Sequence, residues 1–181
     1  MKAFLFISLL FLSACTDFSS KNKFSEYYNI DSLLNSQIQY LSQSETVDKV
    51  IYWGGVYEEK ELNSSLINWD KELNSFRRID INKPSNKDAY SVYYKDNLIE
   101  YTKLIEDEGV VSLKIIFFKE NNPKRISSIE VEKNLLYNSL KKYSLDFDTS
   151  GYIIKYSLVD KQKTIFKDTF EYMFFGEIKW N

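Results

Sequence analysis

The sequence predicts an α+β domain in which two helices pack against a curved antiparallel β-meander of about six to eight strands, shaped like half of a barrel. Apolar residues recur at helical spacing only in the first half of the chain, and they alternate with polar residues from Ala89 onward. The 14 tyrosines and 13 phenylalanines, with only two prolines and five glycines, favour long strands. Because a twisted sheet of many strands tends to curl, we expect it to curve around the helices.

The first helix is predicted from Asp31, in the stretch DSLLNSQIQYLSQ. Asp31 is a favourable N-cap residue, because its carboxylate can accept hydrogen bonds from the first free backbone N–H groups. Four apolar residues then fall on one helical face: Leu33, Leu34, Ile38 and Leu41. This face predicts that the helix packs on the sheet.

A second helix is predicted after Ser64 or Ser65, either of which can cap it. Its apolar residues recur at spacings of three and four, and they are Leu66, Trp69, Leu73 and Phe76. Pro84 disfavours helical backbone at the residue before it, so the helix should end before the sequence DINKP. Since the apolar face must be buried, Trp69 is predicted to lie in the core.

The strand pattern begins with KVIYWGGVY, residues 49–57, in which the pair Gly54-Gly55 indicates a bulge or a sharp bend. Later, AYSVYYK and LIEYTKL flank Asp96-Asn97, which predicts a hairpin turn. Polar turns separate the remaining predicted strands, which are VVSLKIIFF, ISSIEVE, the alternation of Tyr143, Leu145 and Phe147, GYIIKYSLVDKQKTIF and FEYMFFGEIKW.

The amino-terminal stretch MKAFLFISLLFLSAC has the features of an export signal. Lys2 supplies a positive charge, and the run that follows is apolar except for one serine. Its last four residues, Leu12-Ser13-Ala14-Cys15, resemble the lipobox of bacterial lipoproteins. In that family the cysteine thiol carries a diacylglyceryl group, and the signal is cut before it. The resemblance implies lipid attachment at Cys15, the only cysteine of the chain.

The domain organisation predicted from this motif is a signal peptide over residues 1–14, a lipidated tether over 15–25 and a single α+β domain over 26–181. The resemblance implies a membrane partner through the lipid and a location in the bacterial cell envelope. Thr16 is not the aspartate that retains enterobacterial lipoproteins in the inner membrane, which favours the outer membrane. The alternatives are a cleaved signal with a coincidental cysteine, and an uncleaved apolar anchor.

A further resemblance covers most of the chain after the signal. The stretch INWDKELNSFRRIDINKP, with the later NLLYNSL and GYIIKY, is similar to uncharacterised lipoproteins of Bacteroidota. The similarity implies a fold and a compartment, and it brings no activity with it.

Composition excludes several chemistries. The chain has no histidine, which excludes histidine-based triads and removes the commonest metal ligand. The cysteine is assigned to the anchor, so we expect neither a thiol nucleophile nor a zinc–thiolate site. No cofactor and no metal ion is predicted. The formal net charge of −2 is spread along the chain, so a nucleic-acid partner is not expected.

Carboxylates are the remaining candidates for catalysis. Glu106, Asp107 and Glu108 form an acidic run, but they lack the ligand spacing of a calcium-binding loop, and a solvated turn is the favoured interpretation. Asp146 and Asp148 are expected to share one face at a strand end, where a carboxylate pair could serve a glycosidase.

Aromatic residues are the candidates for binding. Trp53, Tyr57 and Trp69 are candidate lining residues of a ligand pocket. The hairpin around Asp96 also contains Tyr90, Tyr93, Tyr94 and Tyr101. The favoured alternative is that these aromatic side chains fill the core and pair across strands.

Three functions are compatible with these features. The favoured one is a non-enzymatic envelope lipoprotein that binds an apolar ligand or an envelope protein. The second is a structural accessory subunit whose exposed edge strand docks on an outer-membrane complex. The third is a carboxylate-based hydrolase, which would need two carboxylates converging about 5–10 Å apart.

Overall fold

The computed structural model describes residues 26–105, 108–119, 121–165 and 169–180. The predicted signal peptide, Cys15 and the predicted tether lie outside these residues, and so do Glu106 and Asp107. The described chain contains α1 (Ile30–Leu41) and α2 (Trp69–Glu72), with 3-10 turns over Ser64–Leu66, Asn74–Ile79 and Pro84–Asn86. Neither of these α-helices has the length and apolar character needed to cross a membrane.

The strands of the described chain number nine. They are β1 (Thr46–Trp53), β2 (Val56–Asn63), β3 (Tyr90–Lys95), β4 (Leu98–Lys103), β5 (Gly109–Lys119), β6 (Asn122–Lys133), β7 (Tyr137–Phe147), β8 (Ile153–Thr164) and β9 (Phe170–Lys179).

All nine strands belong to one antiparallel sheet, in the order β2-β1-β9-β8-β7-β6-β5-β4-β3. Strands β3 to β9 follow one another as a meander, and the β1–β2 hairpin is added beside β9. The segment between β2 and β3, residues 64–89, therefore connects opposite edges of the sheet, and we call it the crossing segment. The α+β class is confirmed, with a sheet that is not closed.

The sheet has more strands than the predicted six to eight because Gly54-Gly55 is a turn and not a bulge. Both glycines have positive φ angles, +55° and +93°. A two-residue turn of this kind matches the twist of an antiparallel hairpin, and it pairs Trp53 with Val56. The prediction of one bent strand over residues 49–57 was therefore wrong.

The strands predicted after Ala89 are present as β3 to β9. Asp96-Asn97 forms the predicted turn between β3 and β4, where Lys95 pairs with Leu98. For β5, β7 and β8 the alternation of polar and apolar residues was sufficient, because each of these strands turns alternate residues to the core over most of its length.

Helix α1 begins earlier than predicted because Asn29, and not Asp31, is its N-cap. The Asn29 side chain accepts a 2.8 Å hydrogen bond from the Ser32 N–H. The Asp31 N–H instead donates to the carboxylate of Asp80 at 2.9 Å. This bond ties the start of α1 to the crossing segment.

The second helix is much shorter than predicted. Ile67 is extended, with ψ 129°, and the Asn68 side chain caps α2, so the helix starts only at Trp69. Leu66 consequently lies outside the apolar face and is 84% exposed. The other members of the predicted apolar face are buried: Trp69, Leu73 and Phe76.

One face of the sheet, which we call the inner face, packs on the helical elements. The Tyr156 hydroxyl of β8 donates a 2.6 Å hydrogen bond to Glu72 of α2. Lys49 of β1 binds the same carboxylate at 2.7 Å. Burial, reinforced by the charge of Glu72, raises the pKa of Tyr156, so its hydroxyl stays protonated at neutral pH. The crossing segment is thus attached to two strands of the sheet.

Gly176 of β9 makes room for Tyr156. A Cβ atom at position 176 would lie only 2.1 Å from Tyr156 Cζ, so the tyrosine ring occupies the space above this glycine. Trp69 and Phe76 meet the same ring edge-on, with centroids 6.2 and 6.0 Å away. Tyr156 therefore joins the sheet to the helical layer by packing as well as by its hydroxyl.

The two ends of the sheet carry different turns. The turns β1–β2, β4–β5, β6–β7 and β8–β9 lie at one end, which we call the hairpin end. The β6–β7 hairpin projects there, because Val131 of β6 pairs with Gly109, the first residue of β5, and β6 continues to Lys133. β9 also extends beyond β1 at this end. The last residue of β1, Trp53, pairs with Tyr172, and β9 begins two residues earlier, at Phe170.

Trp69→Ala should lower the free energy of unfolding by about 3–5 kcal/mol, because the side chain is only 3% exposed. The matched control is Trp53→Ala, which removes the same side chain from a site that is 61% exposed and should cost about 1 kcal/mol or less. Urea unfolding followed by circular dichroism measures both. Equal losses for the two variants would contradict the core position of Trp69.

Candidate functional site

A row of five side chains crosses the inner face near the hairpin end, and we call it the inner row. The backbone register pairs its members in order across five neighbouring strands: Glu130, Lys141, Asp160, Tyr172 and Trp53. The first three members are charged, and we call them the charged half of the row. The last two are aromatic, and we call them its aromatic half. The row lies two residues nearer to the hairpin end than the cross-strand set of Tyr143, Leu158 and Phe174.

Glu130 is nearly buried, and its carboxylate is held by two donors. Arg78 contacts it at two points, with Nη2 2.7 Å from Oε1 and Nε 3.1 Å from Oε2. The Tyr143 hydroxyl donates to Oε2 at 2.6 Å. Burial alone would raise the pKa of Glu130, but the hydrogen bonds from Arg78 and Tyr143 outweigh it, and the pKa is lowered. Glu130 is therefore ionised at neutral pH.

Glu132 is two residues further along the same face of β6 and is also ionised. Lys141 Nζ lies 2.6 Å from its carboxylate, and Tyr137 Oη lies 2.7 Å from it. These two hydrogen bonds lower the pKa of Glu132. Arg78 Nη2 lies 3.4 Å from Glu132, so one guanidinium group bridges both carboxylates.

Asp160 is the third carboxylate on this part of the inner face, and it is 7% exposed. The Ser139 hydroxyl donates to Oδ1 at 2.6 Å, and Gln162 Nε2 donates to Oδ2 at 2.8 Å. Both oxygens therefore have a donor, and Lys141 is the cross-strand neighbour. The charged half of the row is therefore a hydrogen-bonded network that links side chains of β6, β7 and β8.

The aromatic half of the row is much more open. Trp53 meets Phe170 and Tyr172 edge-on, with ring centroids 5.3 and 5.7 Å apart. We call these three residues the aromatic cluster. Trp53 is 61% exposed, although Tyr172 is half-buried beside it. Burial, with a smaller effect of Glu72, raises the pKa of Tyr172, so the cluster carries no charge at neutral pH.

A pocket of about 430 Å³ lies at the charged end of the row. This volume falls within the range of small-molecule sites, which is about 300–1,000 Å³. Charged residues of both signs line it: Arg78, Lys83, Lys103, Glu108, Glu130 and Glu132. Such a lining suits a polar ligand and does not suit an apolar one.

The structure does not bring the three predicted lining residues together. Trp53 and Tyr57 occupy successive pairs of the β1–β2 hairpin, opposite Val56 and Tyr52, so their side chains point to opposite faces. Trp69 is buried in the core. Of the three, Trp53 alone belongs to the inner row.

The tyrosines of the β3–β4 hairpin divide into two groups. Tyr90 and Tyr101 are buried, and each meets Tyr27 edge-on at a centroid distance of 5.5 Å. Tyr93 and Tyr94 are exposed on the edge strand β3. Core filling is therefore confirmed for the first pair only.

The predicted carboxylate pair near the end of β7 does not form. Asp146 lies on β7 and is ion-paired with Arg125. Asp148 lies beyond the strand end, where it accepts hydrogen bonds of 2.9 Å from the Ser150 and Tyr152 N–H groups of the following turn. Among the residues that the structure describes, no three His, Cys, Asp or Glu side chains are grouped to hold a metal ion.

The charged members of the inner row were missed by the sequence analysis. In ISSIEVE both faces of the strand carry apolar residues, so alternation does not reveal that Glu130 points inward. Lys141 and Asp160 lie on strands where aromatic and aliphatic residues, such as Tyr143 and Leu158, indicate an inner face that packs on the core. Their pairing depends on the register between strands, which a single sequence does not contain.

Comparison of the chain with protein-family models, curated proteins and solved structures finds no match. The function of the site must therefore be inferred from its own chemistry.

Glu130→Gln should lower stability at neutral pH by about 1.5–3 kcal/mol, because it removes the charge-assisted hydrogen bonds from Arg78. The pKa of Glu130 is lowered in the fold, so its contribution is present above the unfolded value near pH 4.5 and is lost as the pH falls through the folded value. The difference between wild type and variant should therefore shrink in acid. Urea unfolding from pH 3 to pH 7 measures it.

The control for this experiment is Glu171→Gln. Glu171 pairs with Lys161 at 3.3 Å, and both side chains are about half exposed. An exposed pair contributes about 0–1 kcal/mol, so little change is expected at any pH. A Glu130 variant that behaves like the Glu171 variant would mean that the Arg78–Glu130 contact does not stabilise the fold.

Proposed function

We propose that this protein is a lipid-anchored protein of the bacterial cell envelope that acts by binding and not by catalysis. Its ligand is an apolar molecule or an envelope protein. The exposed aromatic cluster beside the turns of the hairpin end is the observation that carries the proposal.

The aromatic cluster offers apolar surface that folding does not use. Trp53 remains 61% exposed although it contacts two aromatic rings. Fully burying a large apolar side chain contributes about 1.5–3 kcal/mol, so covering Trp53 with a ligand would be favourable. The edge-to-face contacts hold the indole in place, which lowers the entropy lost on binding.

The anchor is proposed from the lipobox. Leu12-Ser13-Ala14-Cys15 implies that the mature chain begins with a lipidated cysteine, and Thr16 favours the outer membrane. Each buried acyl methylene contributes about 0.8 kcal/mol, so two or three chains hold the protein far better than one.

The state of the carboxylates favours binding over hydrolysis. A glycosidase needs one carboxylic acid whose pKa is raised so that it can donate a proton. Glu130 and Glu132 have lowered pKa values, because Arg78, Lys141 and two tyrosines stabilise their ionised forms. Asp146 is also held in an ion pair. The carboxylates in these contacts thus suit a structural role.

The sheet is proposed to curve into a half-barrel around the helical layer. Ser139 and Asp160 support this shape, because both are buried although they lie further toward the hairpin end than Tyr143 and Leu158. Curvature would close the inner face over the inner row and leave the aromatic cluster at its mouth.

A second candidate function is that of an accessory subunit that docks through an edge strand. β3 is an edge strand, and its side chains Val92, Tyr93 and Tyr94 are exposed. An exposed apolar edge can pair with an extended segment of another protein. The other edge is less suited to this, because β2 carries the charged sequence EEKE, residues 58–61.

Cys15→Ser should abolish incorporation of labelled palmitate and release the protein from membranes. The physical reason is that the thiol is the proposed attachment atom. In density-gradient fractionation, the wild-type protein should move with the outer membrane. Persistence of the label in the variant would overturn the anchor.

Purification of the anchored protein, with mass spectrometry of the lipids and proteins that accompany it, should distinguish the two binding functions. Trp53→Ser should remove an apolar ligand held by the aromatic cluster, whereas Tyr93→Ser should remove a protein bound at β3. The two variants serve as controls for each other, since both change an exposed aromatic residue. Turnover of a glycan, peptide or ester that one Asp or Glu substitution abolishes, with the fold intact, would overturn the binding function.

A further inference from the structure

We propose that the described residues of the projecting β6–β7 turn and of the start of the β8–β9 turn form a second membrane contact, which inserts into the headgroup region of a phospholipid bilayer. The inference rests on the proposed lipid anchor, which holds the protein beside such a surface. It adds a defined orientation, with the hairpin end toward the bilayer.

The two turns carry a small apolar surface, which we call the apolar tip: Leu135, Leu136 and Ile165. Leu135 is 93% exposed, and the other two residues are each 61% exposed. The Ile165 N–H donates a 3.1 Å hydrogen bond to the Leu136 carbonyl, so the two turns are joined. The tip is therefore one surface built from two hairpins.

The leucines of the tip are held outward by an ordered turn. The Asn134 side chain accepts hydrogen bonds from the Leu136 and Tyr137 N–H groups, at 2.8 and 3.0 Å. The Asn134 N–H donates to the Tyr137 carbonyl at 3.0 Å. Turn positions ordinarily carry glycine, asparagine, aspartate or serine, so leucine at 135 and 136 is not required by the turn. These side chains are available to an apolar medium outside the protein.

Basic and polar groups surround the tip. Lys133 and Lys163 are exposed at the ends of β6 and β8, two residues before Leu135 and Ile165 respectively. The nearby carboxylate of Glu132 is bound by Lys141. A pocket of about 340 Å³ between the turns is lined by Asn134, Tyr137, Asn138, Lys163, Thr164 and Ile165. Apolar side chains flanked by lysines match the interface of a bilayer, where phosphate groups lie just outside the acyl chains.

The first described residues lie close enough to the tip for the proposed anchor and the tip to reach the same bilayer. Tyr27 packs on Tyr90, which lies at the hairpin end of β3. From there the tip is roughly 20 Å away, by strand spacing and rise per residue. Ten residues separate Cys15 from Glu26, and a chain of that length spans at most about 33–36 Å.

A bilayer fits this surface better than a protein partner does. A specific protein interface buries at least about 1,000 Å² in total, and the three described side chains of the tip offer far less. Partial insertion into a headgroup region requires only such a projecting point, because burial there is about 5–10 Å deep.

The test uses the lipid-anchored protein in vesicles of phosphatidylethanolamine and phosphatidylglycerol. Leu135→Trp, in a Trp53→Phe background, places a fluorescent probe at the tip. The matched control is Leu66→Trp in the same background, since Leu66 is 84% exposed beyond the opposite end of β2. The native residues Trp69 and Trp180 contribute the same fluorescence to both variants. We expect bromine-labelled acyl chains to quench the tip probe several-fold more than the control, with a blue shift of its emission.

Equal quenching of the two probes in vesicle-bound protein would overturn the membrane contact and leave the anchor intact. Loss of vesicle flotation by every variant would overturn both the anchor and this inference. Protection of the tip probe only when a co-purified envelope protein is added would assign the tip to a protein interface, which also contradicts the proposal. Circular dichroism verifies that the variants are folded, as expected for changes at exposed positions.

Discussion

The hydrogen bond between Tyr156 and Glu72 attaches the crossing segment to the middle of the sheet, and Arg78 attaches it again at Glu130. The segment connects the two edges of a nine-stranded sheet, so it must be held somewhere along its path. Gly176 leaves room for the tyrosine ring beside β9, and Lys49 binds the same Glu72 carboxylate. Because this attachment lies on the part of the inner face next to the helices, the hairpin end remains for other contacts.

The inner row uses that remaining surface in two ways. Burying the charged half costs free energy, and hydrogen bonds to each described carboxylate in it offset this cost. The donors are Arg78 and Tyr143 for Glu130, and Ser139 and Gln162 for Asp160. Its aromatic half is exposed at Trp53. The lowered pKa values of Glu130 and of its neighbour Glu132, and the exposed aromatic cluster beside them, are the observations that support the proposed binding function.

The sequence predicted the elements that depend on local periodicity. Strands after Ala89 and the Asp96-Asn97 turn follow from alternation and turn chemistry, and burial of Trp69 follows from its spacing to Leu73 and Phe76. Gly54-Gly55 was misread because a glycine pair suits a bulge and a turn equally well. The periodic pattern also predicted too early a start for the second helix, because it takes no account of the Asn68 side chain, which caps α2. The inner row depends on long-range register, which a single sequence does not define.

The central claim is that the hairpin end of an envelope-anchored protein is its binding surface, and hydrogen–deuterium exchange of the anchored protein tests it most directly. Exchange would be compared between protein in detergent micelles and protein in phospholipid vesicles. The account predicts slower exchange in vesicles at residues 134–136 and 164–165, with the crossing segment and β3 unchanged. Protection confined to the crossing segment or to β3, or no difference anywhere, would contradict it.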